Sequence, residues 1–312
     1  DLHSFLHYAL PSSDFNDAIK LDGKNPATFY NRGVAYLEKH DPDRAVEDFD
    51  RALKIDGKLA IAYSARGAAF SAKGDYARAV TDLSQAIKLN PADAMALNER
   101  GVAQQLNGDS DRAVADFDAA LALNTKYAPA LNNRAITFAS KGQLDRALAD
   151  YDQAIAIDGD NEIGFYNRGN AFYDKSEYTR AIADYDKVLK IDPSDKRALN
   201  NRGNAYANQK MLDRAIADFS RALAQDPSYS RAYSDRGVAY GAKGEIDRAL
   251  ADFEQAIKYD STDSLAFFNR GLAFRDKNDL DRAAQSFEQA VKLNPDYTGA
   301  YFNLGIVYTQ KQ

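Results

Sequence analysis

Few residues in this 312-residue chain have the types and spacing for covalent chemistry. The histidines are His3, His7 and His40. His3 and His7 stand i, i+4 apart, close enough on a helix to share a metal, but no third ligand accompanies them. His40 reads as a solvated turn residue. Cysteine is absent, which removes thiolate nucleophiles, cysteine-held metals and disulfides together. No glycine-rich phosphate loop or nucleophile elbow is present. Asp43, Asp111, Asp213, Asp247 and Asp281 belong to a carboxylate set too numerous to mark an acid/base dyad; they read as a solvated outer face with intrahelical pairs. Neither catalysis nor a cofactor is expected. The remaining chemistry is recognition, carried by arginines and asparagines at a fixed interval.

The arginines are Arg32, Arg66, Arg100, Arg134, Arg168, Arg202, Arg236 and Arg270, each 34 residues from the next. A parallel series of aspartates runs Asp14, Asp48, Asp82, Asp116, Asp150, Asp184, Asp218 and Asp252. The ninth member of the first series is Leu304, and of the second Ser286. Pairing each aspartate with the arginine 18 residues on completes all eight pairs and drops both ninth partners together. Pairing inside one repeat would strand Asp14 and set Arg270 against Ser286. The expectation is therefore a structural ladder of ion pairs between repeats, because a half-buried arginine without an acceptor costs roughly 3–5 kcal/mol. The alternative is a row of arginines aimed at phosphate or carboxylate ligands.

The elements that must hold these residues follow the same period. Glycine recurs at 33, 67, 101, 169, 203, 237, 271 and 305, interrupted by Ala135; alanine recurs without exception from Ala45 to Ala283. Such regularity marks a solenoid in which each unit touches its neighbours. Eight full repeats are expected at 26–59, 60–93, 94–127, 128–161, 162–195, 196–229, 230–263 and 264–297. Residues 1–25 read as a partial preceding repeat, with Ser12 or Ser13 capping a shortened helix, and 298–312 as a capping helix or truncated ninth repeat. Within a repeat, Phe29, Gly33 and Tyr36 share one helical face, and Ala45, Phe49 and Ala52 the face of a second helix. Aspartates open the second helix, and Asp or Asn, often before proline as in Asn90-Pro91, closes it.

These residues closely resemble the tetratricopeptide repeat (TPR). The resemblance implies an all-α, right-handed superhelix of helix-turn-helix units, the first helix of each lining a concave groove. One departure is systematic: arginine stands where the family usually has leucine before the glycine. On the implied groove, asparagine recurs at 132, 133, 167, 170, 200, 201, 204 and 269. Asparagine competes with the helix backbone for hydrogen bonds, so its repetition on one face needs a compensating reason. Its amide donates and accepts, and can satisfy both groups of a peptide unit. The row is similar to the asparagine ladders of O-GlcNAc transferase repeats and importin solenoids, which implies an extended guest held by its backbone; the alternative is that each asparagine braces a neighbouring helix. Tyr30, Tyr166, Tyr173, Phe268 and Phe302 could add aromatic anchors or simple packing. Arg197, Arg231 and Arg275 point to an acidic or C-terminal carboxylate ligand. The carboxylate clamp of chaperone-binding TPR proteins is only partly matched: Asn170, Asn201 and Arg231 fit, while Tyr166 and Asp235 replace its other basic positions.

Basic residues number 40 against 46 acidic, net −6, which argues against a general nucleic-acid or acidic-membrane binder. No apolar run approaches the roughly 20 residues of a membrane span. The cytoplasm is favoured, with the periplasm open had a signal peptide been removed. The expected function is a noncatalytic scaffold binding a polypeptide. Two rivals stand beside it: self-assembly through the terminal helix (Tyr301, Phe302, Ile306, Val307, Tyr308), and the regulatory region of a larger enzyme.

Overall fold

The computed structural model describes residues 12–311. His3, His7, Pro11 and the side chains of Ser12 and Ser13 lie outside the described residues, so the histidine pair and the serine cap are not seen. Among the described residues the chain forms eighteen α-helices and no strand. α1 (Ser12–Leu21) precedes hairpins of a first and a second helix: α2 (Pro26–Glu38) with α3 (Pro42–Ile55), α4 (Ala60–Ala72) with α5 (Tyr76–Leu89), α6 (Ala94–Leu106) with α7 (Ser110–Leu123), and α8 (Ala128–Ser140) with α9 (Leu144–Ile157). The pattern continues with α10 (Glu162–Asp174) and α11 (Tyr178–Ile191), α12 (Lys196–Asn208) and α13 (Leu212–Gln225), α14 (Ser230–Ala242) and α15 (Ile246–Tyr259), and α16 (Ser264–Asp276) and α17 (Leu280–Leu293). α18 (Thr298–Gln310) closes the series. The chain divides into two compact units, Asp1–Gly159 and Asp160–Gln312, here the N-unit and C-unit.

Local signals set the helix ends. Asp41, Asp75, Asp109 and Asp279 cap second helices by accepting the amide three residues on, and Asp93, Asp195 and Asp263 cap first helices. Past six of the eight second helices, Asp56, Asn124, Asp192, Asp226, Asp260 and Asn294 accept the amide two residues on, an Asx turn that redirects the chain. The turn inside a hairpin needs a left-handed residue. Gly108 supplies it at φ 90°, while His40 occupies the equivalent turn at φ 56°.

The helical faces expected from the spacing are buried, with Phe29, Tyr36, Ala45, Phe49 and Ala52 all in the core. The periodic glycine marks closest approach within a hairpin: a Cβ on Gly203 would lie 2.6 Å from the Phe219 ring, and one on Gly271 equally close to Phe287. Ala135 holds the same position in its repeat, and both it and Tyr151, sixteen residues on, are buried.

The arginine–aspartate series pairs in a different register from the one its chain-end gaps suggested. Arg32 forks onto Asp48, Nε to Oδ2 and Nη2 to Oδ1, each at 2.6 Å, and both residues belong to one hairpin. The same fork joins Arg66–Asp82, Arg100–Asp116, Arg134–Asp150, Arg168–Asp184, Arg202–Asp218 and Arg236–Asp252. Asp14, offered above as the partner of Arg32, is not the acceptor of that fork. Arg270 faces Ser286 Oγ at 3.1 Å, the arrangement the counting argument rejected, and burial lowers its pKa. The physical reason is facing: Asp48 turns toward Arg32 sixteen residues back across its own hairpin, and it is Asp50, two residues on, that meets the arginine of the next repeat.

The link to the preceding repeat comes from the third nitrogen. Nη1 of Arg66, Arg134 and Arg202 bonds Asp50, Asp118 and Asp186, whereas Arg32, Arg100 and Arg236 use Asn16, Ser84 and Ser220. Each of these arginines thus ties three helices. Aromatic rings flank the guanidinium, as Phe29 and Tyr36 do at Arg32, both 5.9 Å away. The outer-face aspartates expected to make intrahelical pairs pair instead between repeats: Lys73–Asp43, Lys141–Asp111, Lys243–Asp213, Lys277–Asp247 and Lys311–Asp281. Such exposed pairs contribute little, typically about 0–1 kcal/mol.

Candidate functional site

First helices of successive hairpins run side by side, so residues 31 or 35 apart in sequence meet. Five side-chain bonds within the C-unit exploit this, and a sixth, from Tyr185, crosses one hairpin. Asn201 Nδ2 donates to Asn170 Oδ1 at 2.9 Å and to the Tyr166 hydroxyl at 3.1 Å. Asn200 and Asn204 Nδ2 both donate to Asp235 Oδ2, at 2.8 and 2.9 Å. Asn208 Nδ2 donates to the Tyr173 hydroxyl at 2.9 Å, and the Tyr185 hydroxyl to Asn170 Oδ1 at 2.8 Å. In the N-unit, Asn133 Nδ2 donates to Asn98 Oδ1 at 2.9 Å, and Asn132 is buried. Much of the asparagine row therefore braces neighbouring helices. Asn200 is fully buried and belongs to the frame. Asn167 and Asn269 are half-buried and form no side-chain hydrogen bond among the described residues.

What this network leaves open is a cleft of about 350 Å³ in the C-unit, lined by Tyr166, Asn170, Tyr173, Asn201, Asn204 and Arg231, with Asp174 and Tyr185. The bonds fix the amide orientations: Asn170 turns its oxygen to Tyr185 and Asn201, leaving its NH₂ uncommitted, and Asn201 keeps its oxygen free. Arg231 is 67% exposed, and its Nε lies 3.9 Å from Asp235 Oδ2, beyond hydrogen-bond distance. Burial raises the pKa of Asp235, while the amides of Asn204 and Asn200 and the charge of Arg231 pull it back. Burial also raises the hydroxyls of Tyr185 and Tyr173, which stay neutral donors and acceptors. The cleft thus offers an amide donor, an amide acceptor, phenol hydroxyls and one weakly engaged cation.

Other groove residues are elsewhere engaged. Arg197 pairs with Asp195 at 3.2 Å and lies 5.0 Å from the Tyr166 ring centre. Arg275 donates to Asn303 and meets Asp276 at 3.3 Å. Phe268 packs against Phe287 and Tyr297. On α18, Val307 is fully buried in the last core and drops out of the self-assembly set, whereas Tyr301, Phe302 and Tyr308 are exposed. No described helix is long and apolar enough to cross a membrane, and no group of three or more potential ligands among the described residues could hold a metal ion.

Comparison with known proteins gives one consistent result. A profile described as tetratricopeptide repeat matches residues 166–230, 234–298 and 268–312, another described as TPR repeat matches 69–108 and 137–176, and a third, also tetratricopeptide repeat, matches 26–59. The fold is similar to that of a tetratricopeptide repeat protein from Parabacteroides merdae, with TM-score 0.63 and 23% identity over 80% of this chain and 98% of that one. It is also similar to the APC/C hetero-tetramer Cut9–Hcn1, with TM-score 0.65 and 16% identity over 94% of this chain and 58% of that one. The C-terminal part of a TPR repeat-containing protein from Cytophaga hutchinsonii gives TM-score 0.58 and 19% identity, covering 76% and 98%. At these identities the likeness is one of fold. No curated protein sequence matches the chain.

Proposed function

The chain belongs to the tetratricopeptide-repeat family, and on that premise we propose that it is an interaction scaffold whose C-unit cleft holds an extended segment of another protein. The fold is typically a noncatalytic interaction module, and TPR proteins generally mediate protein–protein contacts. The observation that carries the proposal is Arg231, a largely exposed guanidinium without a hydrogen-bonded carboxylate, beside the uncommitted amide groups of Asn170 and Asn201. The guest's main chain bonds those amides, and an acidic side chain or C-terminal carboxylate meets Arg231. This narrows the asparagine ladder. Asn200 and Asn204 hold Asp235 and the helices in place through their amide nitrogens, while Asn170 keeps its NH₂ and Asn201 its oxygen for the guest.

Selection of random peptides displayed against the whole chain tests the reading. The selected peptides carry an acidic residue or a free C-terminus, and Arg231→Ala weakens them about tenfold or more, the scale of one lost charge-assisted hydrogen bond. Peptides indifferent to both Arg231→Ala and Arg231→Glu would defeat it. Exposure of Phe302 (68%) and Tyr301 (51%) favours a second reading, self-association through α18. Light scattering over a concentration series separates the two, because a peptide scaffold stays monomeric.

A further inference from the structure

A second cleft, in the N-unit, is used by none of the contacts above. The first-helix position that carries Asn31, Asn133, Asn167, Asn201 and Asn269 in other repeats is Ala65 in α4 and Glu99 in α6. Losing the amide at Ala65 leaves a cavity of about 270 Å³ lined by Tyr30, Ile61, Ser64, Ala65, Met95 and Glu99, with Asp93 beside them. Its walls are aliphatic, and Ile61 and Met95 are each 51% exposed.

Three oxygens in this cavity have capacity to spare. Glu99 forms no hydrogen bond or ion pair among the described residues, although it is largely removed from water. Ser64 Oγ is buried with no hydrogen-bond partner. Asp93 gives Oδ1 to the amides of Met95 and Ala96 and keeps Oδ2. The charged and titratable groups that bear on this cluster are Asp93 at the start of α6, Tyr30 from α2 and Tyr127 before α8; none is a cation. A desolvated carboxylate without a counter-charge is costly, and the fold supplies no charge to offset it.

The geometry points to a receptor for a lysine side chain of a protein partner, its stem against Ile61, Ala65 and Met95 and its ammonium on Glu99, Ser64 and Asp93. An ammonium has three donors and no acceptor, which matches three acceptors on separate side chains; the flat guanidinium of arginine prefers both oxygens of one carboxylate. The lysine stem buries readily along apolar surface. Carboxylate ligands are repelled. The ligand is thus opposite in charge to the one proposed for the C-unit, and the inference does not depend on that reading.

The cleft is also pH-dependent. Burial first, then the charge of Asp93, pushes the Glu99 carboxyl up to about 7. The hydroxyls of Tyr30 and Tyr127 are raised, by burial and then by Glu99, and stay neutral. Lysine affinity therefore rises with pH up through about 7, as Glu99 ionises.

The test uses the whole chain labelled with carbon-13 at its glutamate carboxyls, the Glu99 signal assigned through Glu99→Gln. The probes are N-acetyl-lysine methylamide and its uncharged counterpart N-acetyl-norleucine methylamide. The lysine probe lowers the Glu99 titration midpoint by about 1 pH unit, the smallest effect expected of a cation at contact distance. The norleucine probe does not lower it, and Ala65→Asn, which restores the side chain of other repeats, abolishes the lysine effect. An unmoved Glu99 midpoint, an equal response to norleucine, or a response surviving Ala65→Asn would each overturn the proposal. Arg231→Ala leaves the N-unit response intact, so failure here is distinct from failure in the C-unit.

Discussion

The two clefts rest on the same kind of frame and differ in how far their polar groups are already used. In the C-unit, Asn200, Asn201, Asn204 and Asn208 each donate to the neighbouring first helix, and Asp235 receives two of those donors. At the N-unit cleft the corresponding positions are Ala65 and Glu99, no side-chain amide bond joins α4 to α6 among the described residues, and the Ser64 hydroxyl is left without a partner. Asparagine on this face is therefore first of all a tie between repeats. Under the two proposals, a guest would engage polar groups where a tie is missing, as at Ala65, or where an amide keeps one end free, as at Asn170.

The comparison requires the frame beneath both clefts to be equivalent. Asp82→Ala in the N-unit and Asp218→Ala in the C-unit each leave a half-buried guanidinium without its fork, and each should cost roughly 3–5 kcal/mol in denaturant unfolding. Very different costs would show that the two frames are not alike. The next effect is confined to the N-unit cleft. Because the Glu99 carboxyl sits above its ordinary 4.5, at about 7, the folded state binds the extra proton between those values. Its contribution is then full below pH 4.5 and lost as pH rises through about 7. Glu99→Gln removes that loss, and at pH 8 the variant should be more stable than the parent by at most about 3 kcal/mol, the difference vanishing near pH 4. Asp235→Asn should show the same sign with a smaller gain, since two amides already support its carboxylate.

A third substitution extends the comparison to the last hairpin. Ser286→Asp gives Arg270 the carboxylate that the other periodic arginines have, and should stabilise by about 1.5–3 kcal/mol, read as a higher unfolding midpoint. The smallest effect on stability belongs to Arg231→Ala, within about 0.5 kcal/mol because the side chain is exposed and loosely held. A larger loss would make Arg231 part of the frame.

The sequence disclosed the hairpins more readily than the contacts between them. Gly33 and Phe49, or Gly203 and Phe219, announce themselves because a ring and a missing Cβ must meet at fixed spacing. The arginine register was misread because only one acceptor of each arginine is invariant. The second, at Asn16, Asp50, Ser84, Asp118, Asp186 or Ser220, changes identity from repeat to repeat and forms no visible series. Chain-end gaps therefore suggested a pairing that the facing of each aspartate across its own hairpin excludes. Bonds such as Asn201 to Tyr166 and Asn170 were hidden for a similar reason: an asparagine that ties and one that binds look identical in sequence. The break at Ala65 and Glu99 is visible in the sequence as a departure from the asparagine position, but the cleft beside it is seen only in the structure.

Photocrosslinking most directly tests whether a guest lies on the first-helix face. A benzoylphenylalanine replacing Tyr173 in α10, and separately Arg221 in α13, would be irradiated with a peptide selected against the whole chain. The account predicts crosslinks from position 173 and none from 221. Crosslinks from 221 alone, or equally from both, would contradict it.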